Sequence, residues 1–164
     1  MMLVRIDFWL LEKLEKLSQW WQKLTGKNCF WLAKACAVCY GLVAALILSL
    51  LVLSAKEINY IFWLGILMLI VFIEATFFVK NVRFREKIVA QYPDALNPFK
   101  ILDYKFRIVN LFIVLVLFLS PIINLLNGKF YLSIFTLFIG SLLILQGLMN
   151  YFSACNPLPP ARSR

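Results

Sequence analysis

Histidine is absent from the 164 residues, which removes the commonest general base and the commonest metal ligand. Acidic residues are scarce: eight Asp and Glu stand against 17 Lys and Arg, for a formal net charge of +9. Charged residues of both signs make up only 15% of the chain, where a soluble domain carries about 25%. A Gly-rich phosphate loop, a serine-nucleophile motif and a paired-carboxylate site are also missing. These gaps speak against an ordinary enzyme, and no cofactor or metal is expected. The first residues lack the short unbroken apolar core of a cleavable signal peptide, because Asp7, Glu12 and Glu15 interrupt them. The first long apolar run is therefore expected to act as an uncleaved signal-anchor.

What the chain does contain is apolar: 63% of it is hydrophobic and 16% aromatic. The excess is concentrated in four runs, about residues 33–54, 59–79, 108–126 and 130–152. A bilayer core takes roughly 20 apolar residues as a helix, and without water only a helix satisfies its own backbone there. The expected fold is an all-α integral membrane protein with four transmembrane helices as two antiparallel hairpins. An N-terminal amphipathic interfacial helix, residues 1–26, precedes the four-span domain, residues 29–154. A basic loop, 80–107, joins the two hairpins, and a Pro-rich tail, 155–164, follows them.

All but two of the 17 basic residues precede or open the first span, lie in loop 80–107 or follow the last span; the exceptions are Lys56 and Lys129. Loops rich in Lys and Arg stay on the cytoplasmic side, so both termini are expected there, in a bacterial inner (plasma) membrane. Basic flanks of this kind favour anionic lipid of the cytoplasmic leaflet. Topology accounts for the charge, and no nucleic acid is expected as a partner.

In residues 1–26, Leu3, Ile6, Leu10, Leu14, Leu17, Trp21 and Leu24 recur at intervals of three and four, the spacing of one helix face. Arg5, Glu12, Lys16, Gln19 and Lys23 fall on the other face, with Glu12 and Lys16 spaced for an ion pair. Lysines beside a wide aromatic face suit a helix lying in the membrane interface. Thr25-Gly26 supplies a helix stop and Asn28 a cap for the next helix. Lys56-Glu57 and Asn124–Gly128 read as short outer turns. The second span is expected to run on to about Gln91, where Tyr92-Pro93-Asp94 and Asn97-Pro98 break it, and a further helical turn leads into the third span. Pro121 is expected to kink or end that third helix.

Two groups of residues are candidate sites. Glu74 is the single acidic residue inside a span, and an intramembrane carboxylate requires a partner. Lys34 and Arg107 lie at comparable depth, and Asn110, Gln146 and Asn150 join them in a candidate intramembrane polar cluster. Its favoured reading is an ion pair or hydrogen bond that locks helices together; its rival is a protonatable group on an ion path. Ala37, Gly41, Ala45 and Ser49, with Gly140 and Gly147 on the last span, form a candidate helix-packing face of small residues. Cys29, Cys36, Cys39 and Cys155 read as ordinary buried thiols rather than zinc ligands. The tail sequence Pro157–Arg162 fits a PxxPxR spacing or a rigid spacer. The expected function is a non-enzymatic interaction or accessory subunit that assembles with itself or another membrane protein. The alternative is a small oligomeric channel or transporter with Glu74 lining the path.

Overall fold

Helix boundaries follow the local signals closely. The computed structural model describes residues 2–54, 58–92, 96–128 and 130–158. The turn at Lys56-Glu57, Pro93-Asp94, Lys129 and most of the PxxPxR stretch lie outside the described residues. Helix α1 spans Met2–Thr25, α2 Cys29–Ser54, α3 Ile58–Gln91, α4 Phe99–Leu102, α5 Tyr104–Leu126 and α6 Phe130–Ala154. Among the described residues there is no strand.

Gly26 ends α1 in the left-handed region, at φ 73°, a conformation that glycine adopts without steric cost. Asn28 then starts α2: its side-chain oxygen accepts from the Trp31 amide at 3.1 Å, as an N-cap does. Helix α3 carries 34 residues, about 51 Å at 1.5 Å per residue, so it projects well beyond the apolar run. Four helices are long and apolar enough to cross a membrane, over Cys29–Leu51, Gly65–Gln91, Tyr104–Ile123 and Thr136–Ala154. Pro121 does not end α5, which continues to Leu126 with the proline buried inside it. The ring removes one backbone donor, and membrane helices tolerate this where neighbours re-satisfy the freed group.

The spans pack in the order α3–α2–α6–α5, a row in which α2 and α6 are central. Among the described residues α3 and α5 do not touch, so the row stays open. Helix α1 lies across one end of it and touches α5, α6 and α2. The same end collects the C-terminal part of α3, α4 and residues 155–158, and is called the basic end below. The buried core is concentrated there: Leu11, Phe30, Val82, Phe152, Ala154 and Cys155 are all nearly inaccessible.

The small-residue face of α2 is used, but it is not the straight stripe the spacing suggests. Ala37 is buried, and a Cβ added to Gly41 would stand 3.2 Å from the Ala75 Cβ of α3. Ala45 is only half-buried and Ser49 is exposed. The buried line instead runs Ala33, Ala37, Tyr40, Ala44, Leu48. A strict four-residue repeat advances about 40° round a helix of 3.6 residues per turn at each step, so it winds off the contact face within three steps. On α6, Gly140 is buried with open space where a Cβ would stand, whereas Gly147 faces Asn110, whose Oδ1 would lie 2.6 Å from an added Cβ.

Gly41→Leu is accordingly expected to force α2 from α3 and to destabilise the protein by about 1–3 kcal/mol, as overpacking does. Ser49→Leu, at the exposed end of the stripe, is expected to leave the melting temperature in detergent unchanged. Equal melting of wild type and Gly41→Leu removes the close approach as a source of stability.

Candidate functional site

The most highly engaged polar group sits where α1 meets α5 and α6. Arg107, one turn into α5, is the largest fully buried side chain of the described structure. Its Nε and Nη2 donate to the two oxygens of Asp7 at 3.0 and 2.9 Å, a bidentate pair in which both side chains are completely buried. Nη1 and Nη2 also donate to the Phe99 and Lys100 carbonyls at 3.3 and 2.9 Å. These belong to the short α4, so one guanidinium ties α4 to α5 and holds α1. Tyr151 of α6 completes the group: its hydroxyl donates to Asp7 Oδ1 at 2.7 Å, and its ring centroid is 5.5 Å from the guanidinium carbon. A buried charge must be paired and hydrogen-bonded to be tolerable, and here nearly every lone pair and proton is used.

Around this pair the basic end is tied by further polar links. Lys100 reaches Glu15 of α1 at 2.7 Å, and Glu15 also accepts from the Asn156 amide at 3.2 Å. Gln22 exchanges two hydrogen bonds with the backbone of Leu158, at 3.2 and 2.9 Å, and so clips the tail along α1. Arg85 pairs with Asp103, donates to the Ser153 hydroxyl at 3.2 Å, and stacks over the Phe99 ring at 4.5 Å. The buried Asn97 amide donates to the Ser153 and Cys155 carbonyls, both at 3.0 Å, which satisfies the frayed end of α6. Cys29 and Cys155 are both fully buried, the Cys29 thiol 3.5 Å from the Cys155 carbonyl. Burial pushes the Cys155 thiol well above its ordinary pKa, so it is an inert thiol rather than a nucleophile. Among the described residues no group of three His, Cys, Asp or Glu side chains could hold a metal ion.

The structure separates the intramembrane cluster expected from the sequence. Arg107 turns to Asp7, and Lys34 pairs with Glu86, which also accepts from Asn28 at 3.1 Å. Neither cation reaches Glu74. That carboxylate accepts instead from the Tyr40 hydroxyl at 2.9 Å, a neutral link between α2 and α3. Asn110 packs on Gly147, and Gln146 and Asn150 lie half-buried on α6. The expected convergence is therefore corrected: the six residues serve different contacts, because stronger carboxylate partners stand closer to both cations.

Asp7, Glu86, Tyr40 and Tyr151 carry those contacts and were not singled out by spacing. Asp7 left a signal, since it stands four residues after Leu3 and three before Leu10, a carboxylate inside an apolar face. Of the basic-end carboxylates, Asp7, Glu12, Glu15, Glu86 and Asp103 each meet a Lys or Arg. Exposed Arg5, Lys23, Lys80, Arg83, Lys87 and Lys105 make no ion pair among the described residues. Lys13 and Lys27 lie over the Trp9 and Trp31 rings, at 5.8 and 4.1 Å. The end is thus built as an internally neutralised lock under a surface on which exposed cations outnumber carboxylates. No family model, curated protein or solved structure matches the chain.

A double-mutant cycle tests the lock. Asp7→Leu and Arg107→Met alone are each expected to cost about 3–5 kcal/mol, because each leaves a buried charge without its partner. The double variant is expected to recover most of that loss, since an apolar pair of similar volume replaces the ions. Denaturation in detergent micelles reads the cycle, and strictly additive single effects exclude a coupled pair.

Proposed function

We propose that the chain is a non-enzymatic four-span membrane protein, its spans arranged as two antiparallel hairpins. It acts as an interaction or accessory subunit that assembles with itself or with another membrane protein. The observation that carries this reading is the open row α3–α2–α6–α5. Each edge helix has a single span as its main neighbour, and Phe72, Phe77, Phe112 and Leu119 are exposed along their flanks. The polar groups at the basic end support the same reading, because they are occupied in joining elements rather than gathered round a cavity.

Helix α1 takes the membrane interface in this proposal. Leu10 and Leu14 line a gap of about 180 Å³ with Leu111, Val114 and Ile144 of the spans. Arg5, Glu12, Lys16 and Lys23 are exposed on a different flank, and Trp9, Leu17, Trp20 and Leu24 are exposed between the two. A helix divided in this way rests its apolar flank on lipid and its charges in water. The surplus of unpaired cations supports a cytoplasmic basic end, facing the anionic leaflet of a plasma membrane of the bacterial inner-membrane type.

Thiol labelling checks the orientation. Gln91→Cys is expected to be shielded from an impermeant reagent in intact cells and Asn127→Cys to react, each read against the wild-type signal. Labelling of Gln91→Cys from outside reverses the orientation.

A second reading, a small oligomeric channel or transporter, is favoured by one feature: among the described residues Glu74 has a hydroxyl partner and no cation. Size measurement of the purified protein separates the two. Copurification of a defined partner, or a small assembly with no ion flux in liposomes, is the expected result. Ion flux that Glu74→Gln abolishes, with the melting temperature retained, establishes the channel instead.

A further inference from the structure

We propose that the groove between α2 and α3 holds one anionic phospholipid, with an acyl chain in the groove and the phosphate on Lys80 and Arg83. The inference rests on the membrane placement proposed above and not on the accessory role, so either can fail alone.

The groove has a volume of about 440 Å³, within the range of small-molecule sites. Its walls are Ala37, Gly41 and Ala45 of α2 and Phe72, Ala75 and Thr76 of α3, among other apolar groups. Among the described residues Thr76 is the one polar side chain lining it, and its hydroxyl is already bonded to the Phe72 carbonyl at 2.8 Å. The interior therefore offers a ligand nothing but dispersion contact, which is what an acyl chain uses. The small side chains of α2 create the space, and the exposed Val38, Leu42 and Phe72 form its rims.

The α3 wall does not stop at the edge of the apolar region. Phe72, Thr76, Lys80, Arg83 and Lys87 follow at intervals of three and four, so they share one helix face. Phe72 and Thr76 also border a second gap of about 340 Å³ that Lys80 closes. The two gaps share Phe72 and Thr76, so the groove leads toward a column of three cations, one per turn. All three are exposed and none is paired among the described residues. The nearest described carboxylates on α3 do not serve them: Glu74 is bonded to Tyr40, and Glu86 to Lys34 and Asn28.

Three ligand types could meet part of this surface. An apolar helix from a second copy would cover the groove and leave the cations bare. Free phosphate would meet the cations and leave the groove empty. An anionic phospholipid matches both in one molecule and in the right order, with its anion at the level where α3 leaves the apolar region.

The test is native mass spectrometry of the purified full chain with phosphatidylglycerol and phosphatidylcholine of identical acyl chains in equal amounts. One phosphatidylglycerol per chain is expected, retained in preference to phosphatidylcholine. Lys80→Gln and Arg83→Gln are each expected to weaken its retention about fivefold, and the pair roughly 25-fold, as befits basic residues at an anionic headgroup. Thr76→Phe, at an exposed position, fills the groove and is expected to displace the lipid, and Val38→Phe on the opposite wall does the same should the first variant misfold. Lys23→Gln and Lys105→Gln are expected to change nothing. Equal binding of the two lipids, or equal weakening by the control variants, overturns the proposal in favour of diffuse attraction. A dimer that Thr76→Phe dissociates overturns it in favour of a second copy in the groove.

Discussion

The architecture depends on one buried ion pair. Asp7 and Arg107 come from different helices, and each carries a charge that is costly to bury alone. Their pairing is what lets α1 lie against α5 and α6 at all. Apolar residues would hold α1 to the bundle as tightly, and the desolvation of two ions offsets much of their attraction. What the pair supplies is position. A bidentate guanidinium–carboxylate contact admits one geometry, and Tyr151 and the α4 carbonyls accept or donate only if α1 sits at that register. An apolar face on lipid-like surface could slide by a turn at little cost.

That position decides the charge of the surface. Once Asp7 and Glu15 face inward to Arg107 and Lys100, and Glu86 and Asp103 to Lys34 and Arg85, the exposed basic end retains cations and almost no carboxylates. The net charge of +9 understates the contrast seen by a membrane, because five of the eight acidic groups are already neutralised at short range. Internal pairing and the sign of the exposed charge are therefore linked. A substitution that releases one of these carboxylates loosens the lock and also places a negative charge on the cationic surface.

The spans were legible because length and apolarity are properties of contiguous residues, and the bilayer imposes both. The ends of α1 and the start of α2 were legible for a related reason: a glycine at the stop and an asparagine at the cap act within four residues. Pairings were not legible. Lys34, Glu74 and Arg107 were expected at a common depth, yet Glu74 meets Tyr40, six residues or about 9 Å further along α2 than Lys34, while Lys34 meets Glu86. The small-residue stripe failed in its upper half for a geometric reason, since a repeat of four cannot track a helix of 3.6 residues per turn. Asp7 was visible as a misfit in an apolar face, but its partner stood 100 residues away, beyond any local pattern.

That separation also constrains how the structure can be assembled. Asp7 is synthesised first, while Arg107 and Tyr151 follow 100 and 144 residues later. Closing loops of that length carries an entropic cost that grows only slowly with length, so thermodynamics does not forbid the contact. Order of synthesis does impose a sequence on it. Until α5 and α6 are in place, Asp7 has no cation of its lock to face. The tail at Leu158, clipped by Gln22, can close over α1 only when the last span is complete.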